Sequence, residues 1–178
     1  MRKPQGFRIL EEAEVGVGRL VDDPQNANLH PAENLDAIEA SLKRFGQPER
    51  LIVRKSDRVV FSGNGRLLVL RRLGWKKARV QYVEGPDPEC RAYAVSANQT
   101  TRMSKWDQEA LLVNLKEIQG ADSTGLIDAT GFTLEDITDM QAHVEDVHKE
   151  KAGLPRGKGG STATCPQCGQ TFQLGEKA

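Results

Sequence analysis

The chain has 178 residues, of which 38% are hydrophobic and 28% charged, and 25 basic residues balance 25 acidic ones. This composition is typical of a globular protein with one well-packed domain and appendages. No apolar run reaches the roughly 18 residues that a membrane-spanning helix needs. Residues 1–6 lack a signal-peptide core, and three cysteines are too few for a disulfide framework. We therefore expect a cytoplasmic protein with no membrane partner.

The hydrophobic pattern predicts strands that alternate with helices. Strands are predicted at residues 15–21, 51–54, 58–61 and 79–83. Helices are predicted at residues 35–45, 67–73, 90–98, 106–118 and 134–149, with Asn34, Ser104 and Thr133 as N-caps. Residues 153–164, rich in Gly, Ser and Thr, are predicted to form a flexible linker.

Although the net charge of the whole chain is zero, basic and acidic residues are concentrated in different segments. Residues 42–79 contain twelve Lys or Arg against two acids, a net charge of +10, whereas residues 107–150 contain eleven acids against two lysines, a net charge of −9. This separation indicates either a nucleic-acid surface joined to an acidic arm or two opposite lobes that pack together. On the first interpretation DNA contacts the basic segment, and the candidate residues are Lys43, Arg44, Arg71, Arg72, Lys76 and Lys77.

A glycine turn between a predicted strand and a predicted helix is the main candidate site. Its residues are Gly63, Asn64, Gly65 and Arg66. Backbone N–H groups at the start of a helix bind phosphate readily, and Arg66 adds a bidentate donor. The alternative is an ordinary turn, in which Gly65 adopts a positive φ and Arg66 pairs with an acid.

Other polar residues have weaker signals. His30, just before Pro31, is either a phosphate contact, a base, or a turn or helix-entry residue; the last role is the favoured one. Cys90 is predicted to be a packed thiol. Asp22, Asp23 and Glu33 form no motif that gathers them around Mg²⁺, so turn and capping roles are favoured for them.

The end of the chain carries a separate metal-binding pattern. Cys165 and Cys168 form a CxxC half-site, and two thiolates leave a tetrahedral Zn²⁺ half-coordinated. His143 and His148 on the last predicted helix are candidates for the other two ligands. A pair shared between two chains, a redox pair and an unstructured tail are the alternatives.

Four local motifs, in this order over about residues 10–115, together resemble the N-terminal domain of the ParB/sulfiredoxin superfamily. They are Asn28-Leu29-His30-Pro31 before a helix, Gly46-Gln47-Pro48 before a strand, Gly63-Asn64-Gly65-Arg66 before Leu73-Gly74-Trp75, and Ala94-Val95-Ser96-Ala97-Asn98 before Trp106-Asp107. The chain is most similar to phage and prophage proteins of this superfamily, and to ParB-like segments that precede some DNA methyltransferases.

The resemblance implies an α+β fold, with a small mixed sheet and packed helices over residues 8–106. An acidic helical extension (107–150), a linker (151–164) and a zinc-knuckle-like tail (165–178) would follow. It also implies a nucleotide such as CTP or ATP, bound by the glycine turn with Gln47, Asn98 and Arg102. Mg²⁺, DNA and a second copy of the chain are further implied partners, in the cytoplasm of a bacterium or a phage-infected host.

The departures from the superfamily pattern favour binding over catalysis. Asn64, Gly65 and Leu68 replace a Glu and two Arg of the Gly-Glu-Arg-Arg-x-Arg motif. The glutamate associated with magnesium is missing beside Asn98, and the sulfiredoxin cysteine has no counterpart. The leading hypothesis is therefore a regulatory module of a phage or mobile element that binds a nucleotide, DNA or both. The alternatives are a ParB-like nuclease or nucleotide hydrolase or kinase, and a zinc-stabilised protein-interaction adaptor.

Overall fold

A computed structural model describes residues 6–122, 124–153, 162–164 and 171–173. The chain divides into two compact units, Met1–Met140 and Gln141–Ala178. In the described part of the chain no helix combines the length and the hydropathy needed to cross a membrane.

A mixed five-stranded sheet forms the centre of the first unit. Its strands are β1 (Arg8–Gly16), β2 (Val21–Asp22), β3 (Leu51–Arg54), β4 (Val59–Ser62) and β5 (Lys77–Glu84), in the order β1-β5-β3-β4-β2. The pairs β5–β3 and β4–β2 are parallel, and the pairs β1–β5 and β3–β4 are antiparallel. This confirms the predicted small mixed sheet. The predicted first strand is wrong in its bounds, because residues 17–19 form a 3-10 turn between β1 and β2.

The described residues form five α-helices: α1 (Ala32–Phe45), α2 (Asn64–Arg72), α3 (Asp87–Met103), α4 (Gln108–Ala121) and α5 (Leu134–Gly153). Two of the predicted caps are wrong. Pro31 precedes α1 in place of Asn34, since proline has a fixed φ that suits the entry to a helix. Asp107, and not Ser104, caps α4 by accepting the Ala110 N–H at 3.0 Å. Thr133 does accept the Asp136 N–H at 3.1 Å, which confirms the third cap.

The core lies between the sheet and the first two helices. Leu51 and Val53 of β3, Val60 of β4 and Leu67 of α2 have no exposed surface. Burying side chains of this size stabilises the fold by about 1.5–3 kcal/mol each. The β4–α2 connection, which contains the glycine turn, is therefore fixed between two fully buried elements.

Cys90 on α3 is also fully buried, as predicted for a packed thiol. Its Sγ lies 3.6 Å from the carbonyl oxygen of Gly85. Burial raises the pKa of this thiol, because a thiolate loses its hydration there. A reactive cysteine needs the opposite shift, so Cys90 has a structural role.

Candidate functional site

The turn that leads into α2 depends on Gly63. This residue precedes the helix with φ 94° and ψ 25°, in the left-handed region. A Cβ atom here would lie 2.6 Å from Cδ2 of the buried Leu51. The predicted positive φ of Gly65 is wrong: Gly65 lies within α2, and the positive φ belongs to Gly63.

The start of α2 leaves backbone donors without a side-chain cap. Gly63 provides none, and the Leu67 N–H, 2.9 Å from the Gly63 carbonyl oxygen, makes the first bond of the helix. The preceding N–H groups of Asn64, Gly65 and Arg66 therefore have no partner within the helix. They border a cleft of about 200 Å³. Such an edge attracts anions, because the unpaired donors and the helix dipole both carry partial positive charge.

The side chain of Asn64 stabilises the turn and is only 8% exposed. Its Nδ2 donates to the Val60 carbonyl at 2.9 Å, and its Oδ1 accepts the Asp23 N–H at 3.3 Å. These two bonds tie the start of α2 to β4 and to the segment after β2. The side chain of Asn64 is therefore used to hold the turn in place, and its backbone N–H is the group available to a ligand in the cleft.

Arg66 borders the cleft and is partly committed elsewhere. Its Nη2 lies 2.7 Å from Oε2 of Glu49, and its side chain is 25% exposed. Its Nη1 is buried and has no hydrogen-bond partner among the described residues. The pairing with an acid, one of the two sequence-based interpretations, is thus present. Because Nη1 is buried, a ligand can use this donor only when the Arg66 side chain turns toward the cleft.

The other predicted nucleotide contacts divide into two groups. Asn98 and Arg102 of α3 line the cleft or its extension, and Arg102 donates to Asn28 Oδ1. Gln47 lies outside this cleft and is 6% exposed. It accepts the Arg79 N–H at 2.7 Å and donates to the Arg79 carbonyl at 2.8 Å. Gln47 thereby holds the segment after α1 against β5.

The cleft continues into a second hollow of about 180 Å³ along α3. Both hollows are bordered by Asn26, Asn28 and Asn98. The Asn28 N–H donates to Asn26 Oδ1, and Asn26 Nδ2 donates to the Asn28 carbonyl, each at 3.1 Å. The sequence signal for this wall is the Asn-x-Asn pattern of an Asx turn, which our site predictions did not include.

Most cations of the basic segment already have acidic partners. Eight of its twelve form ion pairs: Lys43, Arg50, Arg54, Lys55, Arg66, Arg71, Arg72 and Lys77. Their acidic partners lie at residues 11–14, 22, 36–49, 57 and 87. All of these partners therefore lie within residues 11–87.

The six predicted DNA contacts therefore fall into two sets. Arg72 pairs with Asp36 at 2.7 Å and with Glu39 at 2.6 Å, Lys43 pairs with Glu39, and Arg71 pairs with Asp22. We call Lys43, Arg71 and Arg72 the paired cations.

The second set is Arg44, Lys76 and Lys77, which we call the open cations. Arg44 and Lys76 have no ion-pair partner in the described part of the chain, and Lys77 lies 3.7 Å from Glu14. They flank Phe45, at the end of α1, and Trp75, after α2. These two aromatic side chains border one groove with Lys77 and Arg79. The side chain of Phe45 is 54% exposed.

The zinc prediction falls mostly outside the structure described. Cys165 and Cys168 lie outside the described residues. They fall between β6 (Thr162–Thr164) and β7 (Thr171–Gln173), which form an antiparallel pair. His143 and His148 are exposed on α5. Five residues along an α-helix turn through about 140°, so the two imidazoles leave different faces. No group of three candidate ligands occurs within the described ranges, and zinc stays a prediction.

Comparison with known proteins identifies the fold. No family model and no curated protein matches the chain. The C-terminally truncated chromosome-partitioning protein ParB from Caulobacter crescentus, complexed with CTP-γ-S, matches with a TM-score of 0.64 and 15% identity. The match covers 83% of this chain and 88% of that one. The chain therefore has a ParB-like fold, as its sequence motifs predict.

Two further structures match with lower TM-scores, which do not show a common fold. A Pnob8-like ParB-N domain has a TM-score of 0.46 and 20% identity, over 97% of this chain and 59% of that one. The Caulobacter crescentus protein complexed to the centromeric parS site has a TM-score of 0.45 and 14% identity, over 79% and 77%.

Proposed function

We propose that this chain, which has a ParB-like fold, binds a nucleoside triphosphate through the start of α2. The observation that supports this most directly is the uncapped helix start after Gly63, where three backbone N–H groups border a polar cleft. The Caulobacter crescentus ParB structure of the same fold contains CTP-γ-S. CTP is therefore the first candidate ligand and ATP the second.

The chemistry of the cleft suits a phosphate group. The backbone donors supply directional hydrogen bonds, and the helix dipole favours negative charge by about 0.3–1 kcal/mol. The Arg66 guanidinium adds a charge-assisted bond, which contributes about 1.5–3 kcal/mol. In this proposal the Arg66 guanidinium turns toward the cleft, so that Nη1, which has no hydrogen-bond partner among the described residues, contacts the phosphate.

The hollow along α3 provides room for the nucleoside. It continues from the polar cleft, and the two volumes of about 200 and about 180 Å³ together match the lower end of ligand sites, about 300 Å³. Ala94 and Val95 supply apolar wall, and Asn98 and Arg102 supply polar groups. We propose that the phosphates lie at the helix start and the sugar and base along α3.

We further propose that DNA contacts the open cations. Residues 8–106 carry 17 basic and 13 acidic side chains, a net charge of +4. Eight of the twelve cations of the basic segment are ion-paired. Among the predicted DNA contacts, Arg44 and Lys76 have no ion-pair partner in the described residues, and Lys77 has a long pair at 3.7 Å. DNA affinity depends on the number of phosphates neutralised, so this end of the domain is the best candidate contact.

Calorimetric titration of the full chain with CTP and ATP tests the nucleotide proposal. We expect saturable binding of at least one of them, and no binding of cytidine or adenosine at the same concentrations, because most of the affinity comes from phosphate. Arg66→Ala should weaken binding about 10-fold or more, the loss of one charge-assisted bond.

Arg72→Ala is the matched control, because it removes a guanidinium from the same helix but outside the cleft. It should leave nucleotide affinity unchanged. An equal loss of nucleotide affinity in Arg66→Ala and Arg72→Ala would show that the affinity depends on the net charge of the domain and not on the position of Arg66. Absence of binding by wild-type protein would contradict the nucleotide function.

A further inference from the structure

The imidazole of His30 lies against the first turn of α2. A Cβ atom built on Gly65 would come within 2.7 Å of His30 Cε1, 2.8 Å of Nδ1 and 3.1 Å of Nε2. His30 borders the same polar cleft as the glycine turn. The ring therefore occupies the space that any side chain at position 65 would need.

A hydrogen bond orients the ring. His30 Nδ1 lies 2.9 Å from Asn34 Oδ1, one turn along the chain at the start of α1. An amide oxygen only accepts, so Nδ1 carries the hydrogen of this bond. Nε2 is then the nitrogen that holds a lone pair in the neutral ring. It lies beside the backbone donors of α2, where a phosphate oxygen would bind.

We propose that His30 is a phosphate-positioning residue whose Nε2 takes up a proton from solvent when a nucleotide binds. This inference rests on the proposed nucleotide function and adds a proton-linked contact to it. The incoming proton bonds to the Nε2 lone pair, the ring becomes an imidazolium, and Nε2–H donates to a phosphate oxygen. No other bond forms or breaks.

The charges around the cleft give the direction of this coupling. Arg66 of α2 borders the cleft, Arg102 of α3 borders the adjoining hollow, and the start of α2 carries partial positive charge. The nearby carboxylates are already engaged: Glu49 pairs with Arg66, and Asp23 accepts the Gln25 N–H. A bound triphosphate places negative charge beside the ring and favours the imidazolium.

The same geometry explains the glycine at position 65. Its φ is not in the left-handed region, so backbone conformation does not require glycine there. Alanine stabilises a helix relative to glycine, yet a Cβ atom would displace the ring of His30. The imidazole of His30 fills the space above position 65, which accounts for a residue without a side chain there.

Proton-linked calorimetry tests the contact. CTP binding at neutral pH is measured in two buffers with different ionisation enthalpies, with wild-type protein and with His30→Gln. We expect wild-type protein to take up more protons per CTP than the variant, and the variant to bind CTP several-fold more weakly. The CTP phosphates titrate equally in both experiments, so the difference belongs to His30.

The outcomes separate this inference from the nucleotide function. Equal proton counts and equal affinities would overturn the role of His30 while nucleotide binding stands, provided that Arg66→Ala still weakens it. If wild-type protein binds neither CTP nor ATP, both proposals fail. An affinity loss with no change in proton count would make His30 a packing residue and overturn the proton-linked contact.

A double-mutant cycle tests the packing without any ligand. Gly65→Ala should lower the Tm in wild-type protein, because the Cβ displaces the imidazole. In the His30→Ala background the same substitution should leave the Tm unchanged or raise it. An equal loss of Tm in both backgrounds would overturn the steric link between Gly65 and His30.

Discussion

The start of α2 and the middle of the basic segment are both rich in hydrogen-bond donors, and the fold treats them differently. At the start of α2 the backbone donors have no side-chain cap, and Arg66 Nη1 has no hydrogen-bond partner among the residues that the structure describes. Along α1 and α2 the paired cations contact Asp22, Asp36 and Glu39. An anion-binding site is therefore indicated by hydrogen-bond donors that have no partner in the folded protein. The number of Lys and Arg residues in a segment of the sequence does not show which donors these are.

The difference has a physical cause in each region. Long cationic side chains reach acids on neighbouring elements at small cost, so a basic surface largely neutralises itself. The backbone N–H groups of a helix start cannot move to find a partner, and a glycine cap provides none. The backbone N–H groups at the start of α2 are consequently better placed to bind an anion than the more numerous Lys and Arg side chains.

The largest expected effect concerns Gly63. Gly63→Ala forces alanine into a left-handed conformation and drives its Cβ to 2.6 Å from Leu51. Strain and overpacking of this kind cost about 2–5 kcal/mol together. Urea denaturation should show a loss of this size in the free energy of unfolding, accompanied by loss of nucleotide binding.

Gly74→Ala is the matched control for that substitution. Gly74 has φ 70°, and a Cβ there would meet nothing within 4 Å. The control should cost only about 1 kcal/mol of backbone strain and spare the cleft. Equal losses for the two variants would show that the contact with Leu51 does not constrain the turn.

The next prediction compares the contributions of the open cations and the paired cations to DNA affinity. Arg44→Ala combined with Lys76→Ala should weaken DNA binding and reduce the slope of log affinity against log salt by about 2. Arg71→Ala combined with Arg72→Ala removes the same formal charge from the paired cations and should reduce the slope less. Fluorescence anisotropy over a series of salt concentrations measures both. A larger effect of the second pair would reverse our assignment.

A smaller effect, a gain in CTP affinity, is expected from a substitution of Glu49, the ion-pair partner of Arg66. Glu49→Gln keeps the size of the side chain and removes the charge that holds Nη2. Because the guanidinium is then free for phosphate, CTP affinity should rise about 2–5-fold, consistent with the modest strength of exposed ion pairs. Glu12→Gln, which loses a pair with Arg50 instead, should leave the affinity unchanged. A fall with Glu49→Gln would mean that the pair preorganises Arg66.

The smallest effect concerns Glu39, which two of the paired cations share. The hydrogen bond from Lys43 lowers the pKa of this carboxyl, and Arg72 adds to the shift. A lowered folded-state pKa contributes stability above the unfolded-state pKa, and the contribution is lost as the pH falls through the folded-state value.

Glu39→Gln should therefore lower the Tm slightly near neutral pH, with the difference from wild-type protein vanishing in acid. It should also raise DNA affinity slightly, because it releases Lys43 and leaves Arg72 with Asp36 as its remaining partner. Thermal unfolding across a pH series measures the first effect. A Tm difference that persists at low pH would show that Glu39 acts through packing.

The sequence predicts the fold well where local chemistry decides it. The apolar runs at β3, β4 and β5 and the glycine turn before α2 give the central elements, and the ordered motifs give the ParB-like fold. The sequence misses the start of β1, where exposed residues follow no clear alternation. It also places caps at Asn34 and Ser104, whose side chains bond elsewhere.

The sequence predicts only part of the candidate site. The turn and Arg66 are predicted, but the roles of Asn64 and Gln47 depend on burial and on partners far along the chain. The ordinary-turn interpretation places positive φ at Gly65, whereas the structure has it at Gly63, since either glycine suits a turn. The ion pairs of the basic segment join residues distant in sequence, and no local pattern encodes them.

The most direct test of the central claim is a titration of ¹⁵N-labelled protein with CTP, followed by amide chemical shifts in NMR. The account predicts saturable shifts that are largest for the amides of Asn64, Gly65 and Arg66, with smaller shifts along α3. Shifts that spare these three amides and concentrate around Arg44 and Lys76 would contradict it, because the nucleotide would then be bound by surface charge alone.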